Sequence, residues 1–392
     1  MWCMIMRQIV YRFIGKVTAK MKLSKQQWKA VNAILLCRTP ALGGEVKQCE
    51  DCGKTEKTYR SCRNRHCPVC QAEQAHKWLE KEKKKLLPVS YFHVVFTFAS
   101  EINEVFAYNK KRLYGLLFTI SAETMQTFFR DPKYIGAQGG FLSVLHTWGQ
   151  CLPYHPHIHM IVPNGAVDPD GNWVLPRKHT HAKKFLFPVK ALSQVFRGKL
   201  LQALERLYRK GKLTFPSQQA HDAFPETLRS AARKRWQVYA KRPFAGPNQV
   251  LNYLARYTHR VAISEQRILS IDKDTVTFSY KDYRDQARRK TMTLDADEFI
   301  RRFLQHVLPA HFRKIRTYGW QQGAQLKQQL PKIRDWFAKQ AQFAQCLSSL
   351  LQRLELPAKD DAPHCKHCKT GELYVIETIL PQRGSPTKLN YG

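Results

Sequence analysis

The sequence contains no long hydrophobic run. No stretch reaches the roughly 18 apolar residues that a membrane-spanning helix needs, so no membrane-spanning segment and no membrane partner are expected. The apolar start, Met1–Met6, is broken by Arg7 and lacks the basic-then-apolar order and the small-residue cleavage site of a signal peptide. We therefore expect a cytoplasmic protein.

Acidic residues are scarce. The chain of 392 residues has 30 aspartates and glutamates against 65 lysines and arginines, which gives a formal charge of +35 and a pI near 9.9. The positive charge runs through most of the chain rather than one tail, which is typical of proteins that hold a long polyanion across several surfaces. Nucleic acid is the expected partner, which would make the protein nucleoid-associated. A hydrophobic content of 43% favours globular folding into two or three domains.

Cysteine is abundant, with 11 residues. In a cytoplasmic chain this indicates metal sites or free thiols rather than disulfides. Two C-x2-C pairs lie 14 residues apart, close to the spacing of zinc ribbons, in which each pair forms a tight knuckle and four thiolates surround one zinc ion. The sequence therefore predicts a zinc-ribbon-like, DNA-binding module over residues 22–87. The expected ligands of its structural Zn²⁺ are Cys49, Cys52, Cys67 and Cys70.

Other residues near these pairs keep the ligand set open. Cys62 and His66 lie within reach of the second knuckle, and Cys37 lies upstream. A changed set of ligands, or a second metal ion, is therefore an alternative to the single four-cysteine site.

The stretch 155–163, His-Pro-His-Ile-His-Met-Ile-Val-Pro, alternates in polarity and predicts a strand. Side chains alternate between the two faces of a strand, so His157 and His159 point at one site while Ile158 and Met160 pack on the other face. A single histidine in such a strand is usually a satisfied core residue. Histidines at alternate positions are harder to place in an apolar core, because each neutral ring needs a partner. Metal binding is the favoured interpretation.

Two tyrosines stand four residues apart in a predicted helix over residues 248–258. Tyr253 and Tyr257 therefore share one face of that helix. The spacing alone favours a core-facing aromatic stripe, but the flanking Arg256 and Arg260 favour a functional role, because a phenol beside phosphate-binding cations suits a scissile phosphate. Metal-holding histidines and two hydroxyl nucleophiles are what phosphodiester cleavage through a covalent tyrosine intermediate needs.

The remaining pattern predicts an α+β fold. Short β-branched and aromatic runs at 90–98 and 141–148 flank a helical stretch at 101–130. This order, followed by the histidine strand, is expected for a small antiparallel sheet with helices packed on it. We place this domain at residues 88–295, with a turn-rich and basic helical insertion at about 163–235.

Residues 296–392 are predicted to form a basic, helical C-terminal region. Its segment 311–320 mixes basic and aromatic residues, which suits contact with a phosphate backbone and stacking of bases. A knuckle at Cys365 and Cys368 is followed by no second cysteine pair, so His364 or His367 are candidates to complete a small zinc site there. The arginines expected to bind DNA are Arg63, Arg65, Arg256, Arg260, Arg313 and Arg316.

Five motifs together resemble the rolling-circle transposases of the insertion sequence ninety-one family, within the His-hydrophobe-His nuclease superfamily. The resemblance covers nearly the whole chain, from about residue 37 to residue 320. The motifs are Ser61–Pro68, His93–Thr97, Leu145–Gln150, His155–Pro163 and Tyr253–Ser264.

This resemblance implies a transposase that nicks one DNA strand at the end of its element, becomes joined to the 5′ phosphate through tyrosine, and rejoins the strand at a target. It implies that Tyr253 and Tyr257 are catalytic and that His157 and His159 bind the metal. The implied partners are single-stranded and double-stranded DNA at the transposon ends and at the target.

The chemistry of tyrosine agrees with a metal-dependent reaction. A phenol with a pKa of about 10 is a poor nucleophile at neutral pH, so a divalent ion is expected, and Mg²⁺ or Mn²⁺ suits phosphate chemistry best. Two histidines do not complete a coordination shell. The candidates for a third protein ligand are Gln150, His146, His155 and His259.

Two other functions are open at this point. A plasmid replication initiator or a conjugative relaxase would use the same histidines and tyrosines. The N-terminal zinc module, and the lack of a helicase-type glycine-rich phosphate loop in the sequence, favour the transposase. A zinc-bearing DNA-binding protein without catalytic activity would instead bind DNA independently of metal and form no covalent product.

Overall fold

The computed structural model describes residues 4–177, 186–244, 261–283, 285–340 and 365–382. Its helices are α1 (Ile5–Lys20), α2 (Lys25–Leu36), α3 (Pro68–Lys83), α4 (Asn103–Tyr108), α5 (Lys110–Arg130), α6 (Val189–Arg209), α7 (Gln218–Asp222), α8 (Phe224–Arg233), α9 (Ala296–Leu304) and α10 (Gly323–Lys339). Its strands are β1 (Gly44–Cys49), β2 (Thr55–Tyr59), β3 (Tyr91–Phe96), β4 (Phe141–Trp148), β5 (Tyr154–Pro163), β6 (Ala166–Val167), β7 (Trp173–Val174), β8 (Val238–Phe244), β9 (Ile268–Asp272), β10 (Thr275–Asp282), β11 (Arg288–Asp295), β12 (Ile315–Tyr318) and β13 (Leu373–Ile379). The predicted mixture of helices and antiparallel sheets is confirmed. In the described part of the chain, no helix is both long and apolar enough to cross a membrane.

The chain divides into two compact units, each built from separate stretches of sequence. The first unit comprises residues 1–75, 259–307 and 355–392, and the second comprises residues 76–258 and 308–354. The predicted boundaries after residues 87 and 295 differ from this division. The strands at 268–295, expected in the nuclease domain, group with the N-terminal region instead.

A five-stranded antiparallel sheet forms the centre of the second unit. Its strand order is β12-β4-β5-β3-β8, so the histidine strand β5 is in the middle. One face packs into a large core: Phe92, Val94 and Phe96 of β3 and Ile158 and Met160 of β5 are buried there with apolar residues of α5 and α6. The alternate residues of the same strands point to the opposite face, which carries the histidines.

The segment expected as an insertion contributes to this same core. Helix α6 buries Leu192, Phe196, Leu200 and Leu204 in it. These leucines and the phenylalanine recur every four residues, which places them on one helical face. This part of the segment is therefore integral to the second unit.

Two three-stranded antiparallel sheets belong to the first unit. One has the order β11-β10-β9, and the other has the order β13-β1-β2. Helix α1, which has no counterpart among the predicted elements, packs against α9 and buries residues such as Ile9, Val10 and Phe13. Helix α1 has no capping side chain and no acidic residue in its first turn, so it lacks the usual signals of a helix start.

The C-terminal region is only partly helical. Helices α9 and α10 were expected, but β13 is a strand that pairs with β1 from Gly44↔Ile379 to Cys49↔Leu373. Its sequence, Leu-Tyr-Val-Ile-Glu-Thr-Ile, is rich in β-branched and aromatic residues, which favour strands. The region 296–392, predicted to be helical and basic, therefore also contains a strand.

Candidate metal centres

Three groups of metal-ligating side chains form within the described residues. The histidine cluster, whose ligand atoms lie within 4.8 Å of one another, consists of His146, His157 and His159. Cluster 1 consists of Cys37, Cys62, Cys67 and Cys70. Cluster 2 consists of Cys49, Cys52, Cys365 and Cys368.

The histidine cluster lies on two adjacent strands of the five-stranded sheet. His146 of β4 is paired directly with His157 of β5, and His159 follows two residues later on the same face. The ring centroids of His146 and His159 are 4.4 Å apart, and those of His157 and His159 are 4.8 Å apart. Backbone pairing thus brings three imidazoles together without any contribution from a loop.

Hydrogen bonds orient two of the three rings. Nδ1 of His157 donates to the backbone carbonyl of His155 at 2.6 Å, which leaves Nε2 as the ligand nitrogen. Nδ1 of His159 lies 2.8 Å from Nε2 of His93 on β3, and a proton on that Nδ1 likewise leaves Nε2 as the ligand. Metal-binding histidines are usually held by such an outer hydrogen bond, which fixes the tautomer.

Burial keeps His157 neutral. His146, His157 and His159 are 3%, 9% and 8% exposed. Burial, together with the neighbouring His155, lowers the pKa of His157 to about 3. The imidazole is therefore neutral at physiological pH, which is the form that binds a metal ion.

The structure distinguishes the histidines among the candidates for a third ligand, while Gln150 stays a candidate. His146 lies within the histidine cluster. His155 contributes its backbone carbonyl to His157 and is not a member of the cluster, while His259 lies outside the described residues. His93, which sequence reasoning did not select, contacts the cluster from β3. Its position in the buried strand was predictable, but not its bond to His159, which depends on strand pairing.

Cluster 1 joins the end of α2 to the start of α3. Cys37 caps the C-terminus of α2, and Cys70 lies in the first turn of α3. The Sγ atom of Cys70 is 3.5 Å from the Sγ atoms of both Cys37 and Cys62, and Cys67 Sγ is 3.7 Å from Cys37 Sγ. Four sulfurs around a tetrahedral zinc ion, at about 2.3 Å each, are about 3.8 Å apart, so this cluster fits zinc.

The expected grouping of Cys49, Cys52, Cys67 and Cys70 around one ion is wrong. Each C-x2-C pair is a ligand pair, but the two pairs belong to different clusters. Of the three alternatives, Cys37 and Cys62 complete the site of Cys67 and Cys70, and His66 is not a member of that cluster. The sequence alone does not show which C-x2-C pairs share an ion, because all such pairs have the same spacing. Their grouping depends on the tertiary fold, which brings distant segments together.

Cluster 2 draws its ligands from both ends of the chain. Cys49 Sγ is 3.6 Å from Cys368 Sγ, and Cys52 Sγ is 3.6 Å from Cys365 Sγ. A backbone hydrogen bond from Gly371 lowers the pKa of Cys368 to about 6, which favours the thiolate. His367 is not part of the cluster and donates its backbone N–H to Cys365 Sγ, and His364 lies outside the described residues.

The predicted catalytic tyrosines, Tyr253 and Tyr257, lie outside the described residues, as do Arg256 and Arg260. Of the other arginines expected to bind DNA, Arg63 and Arg313 are exposed and Arg65 is half-buried. Arg316 stacks its guanidinium over the rings of Phe118 and Phe312, at 4.3 and 5.2 Å from their centroids. That arginine therefore also contributes to packing.

A basic cleft of about 650 Å³ lies beside the edge strand β8 in the second unit. Its lining includes an exposed tyrosine, Tyr239, at the start of β8. One lining residue, Arg233, forms an ion pair with Glu226, which also pairs with Arg229. Neither Glu226 nor Arg229 is part of the lining. The basic residues of the lining are Lys190, Arg197, Arg233 and Arg235.

Comparison with known proteins identifies relatives over most of the chain. Residues 140–329 match the family described as "Putative transposase", and residues 9–98 match the family described as "Transposase zinc-binding domain". The "Putative transposase y4qJ" of Sinorhizobium fredii is 42% identical over 372 residues, covering 93% of this chain and 92% of that protein. The transposase for insertion sequence element IS801 of Pseudomonas savastanoi pv. phaseolicola is 28% identical over 316 residues, covering 78% of this chain and 72% of that protein.

No solved structure matches the chain. The match at residues 9–98 contains all of cluster 1 but only Cys49 and Cys52 of cluster 2. Zinc binding by the N-terminal region, predicted from the cysteine spacing, is confirmed by this match and by the cysteine clusters. The two family matches and the extent of the similarity to y4qJ confirm the predicted resemblance, and the chain belongs to the IS91 family of transposases.

Proposed function

We propose that this transposase nicks and rejoins single-stranded DNA through a 5′-phosphotyrosine intermediate, assisted by a divalent cation at the histidine cluster. The observation that carries the proposal is the convergence of three buried imidazoles, His146, His157 and His159, on paired strands of a rigid sheet. Two of them are oriented by hydrogen bonds of their Nδ1 atoms. A histidine set that only filled the core would have no need of three rings that face one point.

The donor set fits a divalent transition ion. Three imidazole nitrogens leave room for phosphate oxygens to complete the coordination, as in catalytic rather than structural sites. When bound, such an ion stabilises the negative charge that develops on the scissile phosphate. Imidazole ligands suit transition metals better than Mg²⁺, so we expect Mn²⁺ to support the reaction at lower concentration than Mg²⁺.

The proposed nucleophile is the hydroxyl of Tyr253 or Tyr257. The phenolic oxygen would form a bond to the 5′ phosphorus while the bond from phosphorus to the 3′ oxygen breaks, and the proton would pass to solvent or to the leaving 3′ oxygen. In the reverse reaction, a 3′ hydroxyl attacks the phosphotyrosine and releases the phenol. This assignment rests on the tyrosine spacing, the flanking arginines and the family resemblance.

Charge supports a DNA substrate. The formal charge of +35 provides long-range attraction for a polyanion. The basic cleft with Tyr239 combines cations for phosphates with an aromatic ring for stacking, a pairing typical of single-strand binding. We assign single-stranded DNA to the reacting strand and double-stranded DNA to the flanking ends and target.

A structural Zn²⁺ is assigned to cluster 1. Its four sulfurs form a closed set with tetrahedral spacing, which leaves no position for a substrate. The role of this ion is to hold the loop at residues 60–67 between α2 and α3.

The test is a covalent-attachment assay on a denaturing gel with labelled single-stranded DNA from the ends of the encoding element. With Mn²⁺ we expect an adduct that is lost on chelation, in His157→Ala and in the double variant Tyr253→Phe/Tyr257→Phe. His221→Ala, at a half-buried histidine outside the cluster, and Tyr108→Phe, at an exposed tyrosine, serve as matched controls and should retain the adduct.

The outcomes separate the competing functions. An adduct that survives both tyrosine substitutions would contradict the proposed nucleophile. Metal-independent DNA binding with no adduct on any end sequence would favour a DNA-binding protein without catalytic activity. Cleavage without joining of a second strand would favour the replication initiator or relaxase.

A further inference from the structure

We propose that cluster 2 is a second structural zinc site, and that its zinc ion fastens the C-terminal segment 365–379 to the N-terminal sheet. Only Cys49 and Cys52 of this cluster fall within the match to the zinc-binding domain. Cys365 and Cys368 lie 313 and 319 residues from the cysteines they face. The site is therefore additional to cluster 1 and is built from both ends of the sequence.

The sulfur positions fit one tetrahedral ion. The facing Sγ pairs are both 3.6 Å apart, and all four sulfurs lie within 4.8 Å of one another. Sulfurs around zinc are about 3.8 Å apart at a Zn–S distance of about 2.3 Å. A disulfide would require about 2.05 Å between two sulfurs, and four thiols that converge on one point favour a shared ion.

The two halves of the site have the same backbone shape. In each, the residue after the second cysteine has a left-handed φ of 65°, at Gly53 and at Lys369. The N–H of that residue donates to the carbonyl of the first cysteine, at 3.0 Å for Gly53 and 2.9 Å for Lys369. Two C-x2-C turns of equal shape that face each other form the knuckle pair of a zinc ribbon.

Backbone donors stabilise the sulfurs on the C-terminal side. The N–H of His367 donates to Cys365 Sγ, and the N–H of Gly371 donates to Cys368 Sγ, both at 3.4 Å. Gly371 also packs so closely on Cys49 that a β-carbon there would collide with the Cys49 sulfur. The lack of a side chain at Gly371 therefore leaves room for the sulfur of Cys49.

The strand that this knuckle anchors has little core of its own. Most side chains of β13 are exposed, including Tyr374, Val375 and Ile376, each about half-exposed. Its polar side-chain contacts, such as Tyr374 OH with Gln48 Oε1 at 3.1 Å, are on the surface and stabilise little. Since apolar burial is the main force that holds a strand in place, β13 needs the metal cross-link to stay paired with β1.

The test counts zinc in the full-length protein and measures amide hydrogen exchange at residues 373–379. The count uses the His157→Ala background, so that an ion at the histidine cluster does not enter it. We expect two zinc ions per chain, and one in the double variant Cys365→Ser/Cys368→Ser, with loss of protection over 373–379.

Matched variants keep the test informative. Cys368→His should retain both ions and the protection, because zinc accepts three cysteines and one histidine. Cys151→Ser, at a cysteine outside both clusters, should behave as the parent protein. The proposal would be overturned if the parent protein bound only one zinc ion. It would also be overturned if the double serine variant kept two zinc ions and the protection of residues 373–379. Neither measurement depends on nuclease activity.

Discussion

The cysteine clusters and the histidine cluster place their ligands on different kinds of scaffold. The cysteines lie in knuckles and at helix ends, and each cluster is assembled from separate stretches of the sequence. The histidines lie on β4 and β5, which are already held by backbone pairing and by a large core on the opposite face. We therefore expect metal ions to maintain the fold in the first unit and to serve chemistry in the second.

The largest effect is expected when cluster 1 loses a ligand. Cys70→Ser removes the sulfur that lies 3.5 Å from two others, and one zinc equivalent should be lost. Structural zinc contributes roughly 10–16 kcal/mol in small zinc domains, as much as the whole stability of a typical domain. Residues 37–70 should therefore become open to limited trypsin digestion, which is the measurement.

His157→Gln provides the contrast. It should abolish the DNA adduct while the zinc content of the cysteine clusters and the protease resistance of residues 37–70 stay unchanged. If Cys70→Ser leaves the segment resistant, or if His157→Gln opens it, the distinction between a structural and a functional set of ligands fails.

A smaller effect is expected at His93, which positions a ligand without touching the cation. His93→Phe removes the partner of His159 Nδ1, and loss of such an outer hydrogen bond typically weakens metal binding about 10–100-fold. Titration calorimetry with Mn²⁺ measures this directly. His93→Gln supplies an oxygen acceptor and should restore much of the affinity; equal weakening by Phe and Gln would show that packing, rather than the hydrogen bond, is what matters.

The smallest effect is expected for a change in the first unit that leaves every metal ligand in place. Ser24 caps α2 through a reciprocal pair of hydrogen bonds with Gln27. Ser24→Ala should cost about 1 kcal/mol in the free energy of unfolding, without loss of zinc. Denaturant unfolding followed by metal analysis checks both points, and a loss of zinc would mean that helix packing and metal binding are not separable there.

Much of the second unit follows from local patterns in the sequence. The runs at 90–98, 141–148 and 155–163 gave strands, because the alternation of side chains is a local property. The same alternation placed His157 and His159 on one face. The addition of His146 and His93 depends on strand pairing, which aligns residues from distant parts of the chain and leaves no local signal.

The first unit was harder to predict because its structure rests on long-range choices. Helix α1 carries no start signal in the sequence and has no counterpart among the predicted elements. The ligand sets of the two cysteine clusters, and the pairing of β13 with β1, depend on which knuckles meet. Identical C-x2-C spacings carry no information about their partners.

The separation of the ligands in cluster 2 also sets an order of events during synthesis. Cys49 and Cys52 emerge from the ribosome long before Cys365 and Cys368, which follow 313 or more residues later. At typical rates of translation this delay lasts roughly 15–60 s, whereas all four ligands of cluster 1 emerge within one short stretch. Cluster 1 can thus close on the nascent chain while cluster 2 closes last. A chain interrupted before Cys365 therefore keeps Cys49 and Cys52 without the other two cysteines of the cluster.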